Sequence, residues 1–171
     1  GEIPLTREQL ANDFIVGGVR FPLIDRGRGI RKPAGWNAAL SITTAAPKSG
    51  RARPYDDVEG PDGLHRYKLR RDELGRSENA GLRAALQLDL PLAWFFGLEP
   101  GLFQVISPVH LREEEPSLSQ FSLALTEAQR MVEPGSIVEE RIRRYLISQT
   151  RQRLHQPVFA SQVMIAYTER C

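Results

Sequence analysis

Apolar and polar positions along this chain follow two periods, and the change between them divides it. From Leu5 to Thr126 the apolar residues come mostly in short, strand-like runs separated by turn residues. From Ser136 onward they recur at helical intervals. Two helices interrupt the first part. LTREQLANDF (Leu5 to Phe14) offers Thr6 as a cap, with Leu10 and Phe14 at helical spacing. ENAGLRAAL, capped by Ser77 or Asn79, carries Leu82, Ala85 and Leu86 as one apolar stripe.

The strands follow from alternation and punctuation. A short strand is expected around Val19 to Ile24, then an exposed Arg/Gly loop from Asp25 to Gly35. NAALSITT (Asn37 to Thr44) predicts a β segment ending in the polar loop Ala46 to Pro54. In LHRYKLR, His65, Tyr67 and Leu69 share one face, and Arg66, Lys68 and Arg70 share the other. LPLAWFFG is too continuously apolar for a strand with a wet face, so it is expected to be buried on both sides. Glu99-Pro100-Gly101 turns the chain into LFQVISPVHL, where Pro108 predicts an edge or a bulge. QFSLALT (Gln120 to Thr126) alternates again. The tail predicts a helical hairpin, SIVEERIRRYLISQTRQRLHQ and PVFASQVMIAYTERC, with Pro157 opening the second helix. Ile137, Ile142, Tyr145, Leu146, Gln149 and Arg153 fall at helical intervals in the first, and Phe159, Val163 and Ala166 form the apolar face of the second. The expected fold is α+β: a twisted, mostly antiparallel β-barrel over residues 1–130, with short flanking helices, then a helical segment over 131–171.

Composition narrows the class without changing this picture. The chain has 171 residues, 41% of them hydrophobic, enough for a folded core. It has no apolar run of the roughly 20 residues a membrane span needs, and no leader pattern. One cysteine, Cys171, leaves no internal disulfide and suits a reducing compartment, so a cytoplasmic location is expected. The net charge is only +2, but its basic residues cluster. Arg20, Arg26, Arg28, Arg31 and Lys32 form one group, Arg66, Lys68, Arg70 and Arg71 a second, and Arg141 to Arg153 a third. Clustered arginine in a near-neutral chain suggests a face turned to a polyanion.

Catalytic patterns are missing. The three histidines have no zinc-hydrolase spacing. GRGIRKPAG lacks the G-K-S/T ending of a phosphate loop, and Gly17-Gly18 opens no dinucleotide fingerprint. No serine or cysteine nucleophile stands beside a base. Asp56, Asp57, Glu59 and Asp62 are the one candidate for the spaced carboxylates of a two-metal nuclease, and a Gly-Pro-Asp-Gly turn runs through them. No cofactor and no metal is expected. What the residues do supply is the kit of a base reader. Inspecting a base fully means extruding it from the duplex. The pocket then needs a carboxylate for the cytosine amino group and flat rings to stack on the base. Asp56 or Asp57 can supply the acceptor; Tyr55 and Tyr67 can supply the rings. Phosphates would meet Arg26, Arg28, Arg31, Lys32, Arg53, Arg66, Lys68 and Arg70. Trp36 suits a wedge in the duplex or an anchor of its loop, and Tyr67 suits a stacking ring or a core ring.

In this order of parts the chain resembles the SRA (SET and RING associated) domain of the PUA-like superfamily. The parts are Tyr55-Asp56-Asp57, Tyr67, RRDELGR, Glu78-Asn79 through Leu86, Pro91-Leu92, and Gly97 through Val105; the likeness covers Pro54 to Leu125. It departs from the family at Lys68-Leu69, where Thr-Gly is usual, and in a glycine run reduced to Gly75. The resemblance implies a PUA-like, SRA-like barrel that flips 5-methylcytosine or 5-hydroxymethylcytosine out of double-stranded DNA. It implies Asp57 or Asp56 bonding to the base, and Tyr55 and Tyr67 enclosing it. The tail is similar to the segment preceding an HNH nuclease module, where a helix ends in Tyr-x-x-Arg-Cys and that cysteine opens a zinc site. The chain stops at Cys171, so the expectation is the N-terminal reader half of a modification-dependent restriction endonuclease, of use in bacterial defence. Such a reader binds and does not cut; its partners are modified DNA and an HNH module, with no membrane, and a homodimer is allowed. Other readings are a PUA-like RNA-binding module, a protein-interaction domain with acidic partners, and a reader of phosphorothioate or modified adenine.

Overall fold

The computed structural model describes residues 3–47, 59–69 and 76–168. Its centre is a curled, mixed seven-stranded sheet. In chain order the elements are β1 (Leu5–Thr6), α1 (Arg7–Asn12), β2 (Ile15–Val16), β3 (Val19–Arg20), β4 (Ile30–Arg31), β5 (Ser41–Thr44) and β6 (His65–Lys68). They continue with α2 (Arg76–Gln87), β7 (Leu92–Glu99), β8 (Leu102–Glu115), β9 (Gln120–Ala124), α3 (Glu127–Arg130) and α4 (Glu140–Thr168). The sheet runs β4-β5-β7-β8-β9-β6, with β1 added on β8; β2 and β3 form a separate hairpin. Every pairing is antiparallel except β5 with β7, which is parallel. The expectation of a mostly antiparallel sheet therefore holds except at this one crossover. That crossover exists because the chain travels from β5 through β6 and α2 before returning to β7.

Local chemistry explains most of the element boundaries. Thr6 accepts a hydrogen bond from the Gln9 N–H, and Gln9 Oε1 accepts from the Thr6 N–H, a reciprocal cap that starts α1. Gly17 and Gly18 have φ of +58° and +79°, the pair of positive values a two-residue hairpin turn needs between β2 and β3. Pro100 fixes the first corner of the β7–β8 turn, and Gly101, at φ +79°, takes the second. The Ser107–Pro108 bond is cis, and the β7–β8 register shifts between Leu92↔Val109 and Trp94↔Ile106. The irregularity expected at Pro108 is thus present, but β8 runs through it to Glu115. Its first half pairs with β7 and its second with β9, so one strand carries both halves of the sheet.

β7 is buried on both faces, as its composition predicts. Trp94 and Phe96 point into the main core with Ile42, Leu82, Phe121 and Leu123. Phe95 points the other way, to a smaller core with Leu10, Ile24 and Phe103. Helix α1 covers that second core and so fixes Ile24, the residue that launches the Asp25–Gly35 loop. Trp94 donates its indole N–H to Thr44 Oγ1 at 3.0 Å, which satisfies the ring's polar edge inside the core.

Three expectations change. The strand expected at Val19 to Ile24 is only Val19–Arg20. Residues 21–24 instead follow α1, with the N–H of Phe21 bonded to Phe14 O and that of Leu23 to Leu10 O. Helix α2 begins at Arg76, which places Ser77 and Asn79 inside its first turn rather than at its cap. Last, the hairpin expected at Pro157 is one helix, α4, running from Glu140 to Thr168. Proline removes one backbone donor from a helix, and no glycine, asparagine or aspartate near Pro157 offers the chain a way to turn. The buried stripe of α4 is Leu146, Ile147, Thr150 and Leu154, while Ile142 and Tyr145 are exposed. Gln129 ties it down, donating to Leu146 O at 3.0 Å and Thr150 Oγ1 at 2.8 Å. Among the described residues no helix is long and apolar enough to cross a membrane.

Gly97 sets the spacing of the parallel pair. A Cβ there would run into Ala46 N and lie 2.8 Å from Thr44 O, both backbone atoms that cannot swing aside. Gly97→Ala is expected to lower stability by about 1–3 kcal/mol, read as a reduced midpoint in urea unfolding. Gly27→Ala, which meets nothing within 4 Å, should leave that midpoint in place.

Candidate nucleic-acid interface

The expected phosphate-binding loop is held by apolar anchors at both ends. Ile24 is buried before it, and Ile30 and Pro33 are buried within and after it. Between them Arg26 and Arg28 stand exposed, while Arg31 and Lys32 are half-buried. Gly29 is the pivot. Its carbonyl accepts the Thr43 N–H at 2.7 Å and the Tyr67 hydroxyl at 3.1 Å. A Cβ on Gly29 would lie 3.0 Å from that hydroxyl, a tight approach that a larger residue would have to push apart. Tyr67 itself is buried among the main core residues. The structure therefore makes Tyr67 a core ring whose hydroxyl joins β6 to the basic loop, across the open side of the curled sheet.

The basic residues divide by what they touch. Arg28 is half exposed but pairs with the buried Glu78 of α2 at 2.6 Å. Arg31 donates Nε–H to Pro22 O at 3.1 Å, a neutral contact that aims the guanidinium without cancelling its charge. Among the described residues Lys68 reaches only Leu118 O, at 3.4 Å. Arg20, in β3, donates to Asn12 Oδ1 at 3.2 Å. Trp36 is 47% exposed and leans on Phe21, ring centre to ring centre 5.6 Å. One face of the indole thus anchors the loop and the rest meets solvent. Tyr55, Asp56, Asp57, Arg53 and Arg70 lie outside the described residues.

Arg66 corrects the expected outward basic face of β6. It is 2% exposed, bonded through both terminal nitrogens to Asp62 at 2.8 and 2.9 Å and through Nε to Glu115. The alternation was read correctly, but the second face of β6 is covered by the turn at 60–63 and the end of β8. Gly60 lies flat over the guanidinium, where an added Cβ would fall 2.5 Å from a terminal nitrogen. A cation buried this way cannot serve a phosphate. Arg66 belongs to the fold. Asp62, read only as part of a carboxylate cluster, is its main partner, and also accepts from the N–H groups of Leu64 and Gly135. The signal in sequence is the Asp62/Arg66 spacing across a Gly-containing turn, which alternation alone does not reveal.

Burial by itself would raise the Asp62 carboxyl; the Arg66 hydrogen bonds and those from Gly135 and Leu64 outweigh it and hold the group below the usual range. For Arg66, burial acts to lower the value and the two carboxylates raise it. His110 is lowered, first by burial and then by Arg130 nearby. Neither histidine has the exposure of an acid–base catalyst: His65, also buried, lies 5.1 Å from the Trp94 ring centre.

No protein family, curated protein or solved structure gives a match to this chain.

Three outcomes follow from the Asp62 and Tyr67 contacts. Asp62→Asn leaves a buried arginine short of charge and should cost about 3–5 kcal/mol, measured by chemical denaturation. Because the folded Asp62 titrates below an unfolded aspartate, its contribution is complete above a pH of about 4 and is lost as pH falls through the folded value. The wild type should accordingly lose melting temperature below that pH, and Asp62→Asn should show a flatter acid limb. Tyr67→Phe removes one hydroxyl contact and should cost about 1 kcal/mol in the same assay.

Proposed function

We propose that this chain is an SRA-like, PUA-like reader of double-stranded DNA that recognises a modified cytosine, 5-methylcytosine or 5-hydroxymethylcytosine, by flipping it into a pocket. The observation that carries the reading is the Tyr67 hydroxyl on the Gly29 carbonyl. The tyrosine that the resemblance assigns to the base pocket is fastened to the loop that holds the exposed arginines, although 38 residues separate them. A flipped base and the phosphates beside it must be held at a fixed offset, and a reader needs its pocket wall and its phosphate grip joined rigidly.

In this reading Asp57 or Asp56 accepts from the cytosine amino group and Tyr55 stacks on the base, while Tyr67, a core ring, fixes the basic loop beside the pocket through its hydroxyl. Arg26 and Arg31, with Arg28, Lys32 and Lys68 around them, meet phosphates. Trp36, anchored on Phe21 and half exposed, is the wedge candidate. Arg66 has no part in it. The chain then serves as the reading half of a modification-dependent HNH endonuclease, located in the cytoplasm, and has no cutting activity of its own.

Fluorescence polarisation against one short duplex, its central cytosine unmodified, methylated or hydroxymethylated, at two salt concentrations, tests the reading. A reader binds a modified form more tightly, and the preference survives the higher salt. Equal binding to all three that collapses with salt would sink it and favour a basic surface with other partners. Asp57→Ala, or Asp56→Ala if the neighbour is the acceptor, is expected to erase the preference while weak binding persists, because phosphate contacts are blind to the base.

A further inference from the structure

A cleft of about 460 Å³ opens between the end of α1, strand β3 and the start of the basic loop. Its floor is Pro22 and Ile24, and Asn12, Arg20, Arg26 and Arg31 stand around it. Three arginines line this one cleft; elsewhere Arg112 and Arg153 also donate to backbone carbonyls. Arg28, Arg66, Arg83, Arg130 and Arg143 each lie within 3.3 Å of a carboxylate. In the cleft, Arg20 is oriented by a neutral amide and Arg31 by a backbone carbonyl. Arg26 is exposed, with no ion pair among the described residues. Asp25 is the single lining carboxylate, and it is bonded to the Gly27 N–H of its own loop at 3.1 Å.

Three guanidiniums around one concavity repel one another unless an anion joins them. Two of them are nevertheless held by neutral acceptors, which fix direction and preserve charge. Guanidinium forks match the oxygens of a phosphate in pairs. The apolar floor and the volume leave room for more than a bare ion. The geometry points to a site for a phosphate ester, built from Arg20, Arg26 and Arg31 with Asn12 as the orienting amide. The ester is a backbone phosphate of the nucleic acid or the phosphate of a free nucleotide; only the first source rests on the reader function proposed above. The cleft also divides the basic group. Arg28 and Lys32, neighbours in sequence, do not line it, and Arg20, eleven positions before Arg31, does.

The experiment compares the 171-residue chain with Arg20→Ala, Arg26→Ala and a control, Arg83→Ala, an exposed arginine on α2 paired with Glu114 and outside the basic clusters. Binding of a short duplex is followed by polarisation across a salt series, with inorganic phosphate and deoxycytidine 5′-monophosphate as competitors. Arg20→Ala and Arg26→Ala should each weaken duplex binding about tenfold and reduce the slope of log K against log salt by about 0.9. Modified and unmodified duplexes should be affected by the same factor. Arg83→Ala should change neither quantity. If the two cleft substitutions remove direct mononucleotide binding, measured by calorimetry, but leave the duplex unchanged, the ester site stands and its source is a free nucleotide. If neither substitution alters binding of any probe, or Arg83→Ala lowers the slope as much, the cleft is not a phosphate site. A wild type without preference for modified cytosine would sink the reader function but not this inference, since neither the slope nor the competition depends on the base.

Discussion

Arg66 sits inside the protein with its charge intact, and much of the architecture follows from keeping it there. A buried guanidinium is tolerable only when its donors all find acceptors and its charge finds carboxylates. Asp62 and Glu115 meet both conditions, and they come from different parts of the chain: the turn before β6 and the end of β8. Asp62 in turn takes the Gly135 N–H, which brings in the connection ahead of α4. One cation thus holds together the far end of the sheet and the approach to the last helix. Gly60 completes the arrangement by having no side chain where the guanidinium lies.

A second constraint is the length of β8. A strand of 14 residues that changes partner halfway must bend, and the shift beside Pro108 supplies the place. Because of it the sheet curls, and the β6 edge comes within reach of the β4–β5 edge, where Tyr67 makes its contact. The site is therefore a product of the curl. Neither the loop at 25–35 nor strand β6 would find the other in a flat sheet.

Much of this could be read from the residues in order. The periods gave β6, β7 and β9, and the Thr6 cap, the Pro100-Gly101 turn and the doubly buried β7 all follow from local rules. Elsewhere the reading failed where a distant part of the chain decides. Alternation assigned Arg66 to the outer face but could not say that Glu115, 49 residues on, would be waiting there. Proline punctuation broke α4 at Pro157, where a missing donor was not enough to end a helix. Helical intervals placed Ile142 and Tyr145 on the apolar stripe, one step away from the face that Leu146, Thr150 and Leu154 bury. Of the basic loop, exposure at Arg26 and Arg28 was legible. That Arg20 shares a cleft with Arg26 and Arg31 was not, since it depends on how hairpin β2–β3 is set against α1.

The doubly bonded carbonyl of Gly29 divides the basic loop into halves of unequal freedom. Arg31 stands after the pivot, in a strand, with its own Nε already bonded. Arg26 stands before it, exposed. An arginine that must be immobilised on contact gives up about 0.5–1.5 kcal/mol of side-chain entropy. On meeting an anion that loss would fall on Arg26 and be largely spared at Arg31, whose freedom was surrendered when the chain folded. The two residues can carry equal charge toward the same anion and still differ in when their ordering cost is met, one during folding and the other at each encounter.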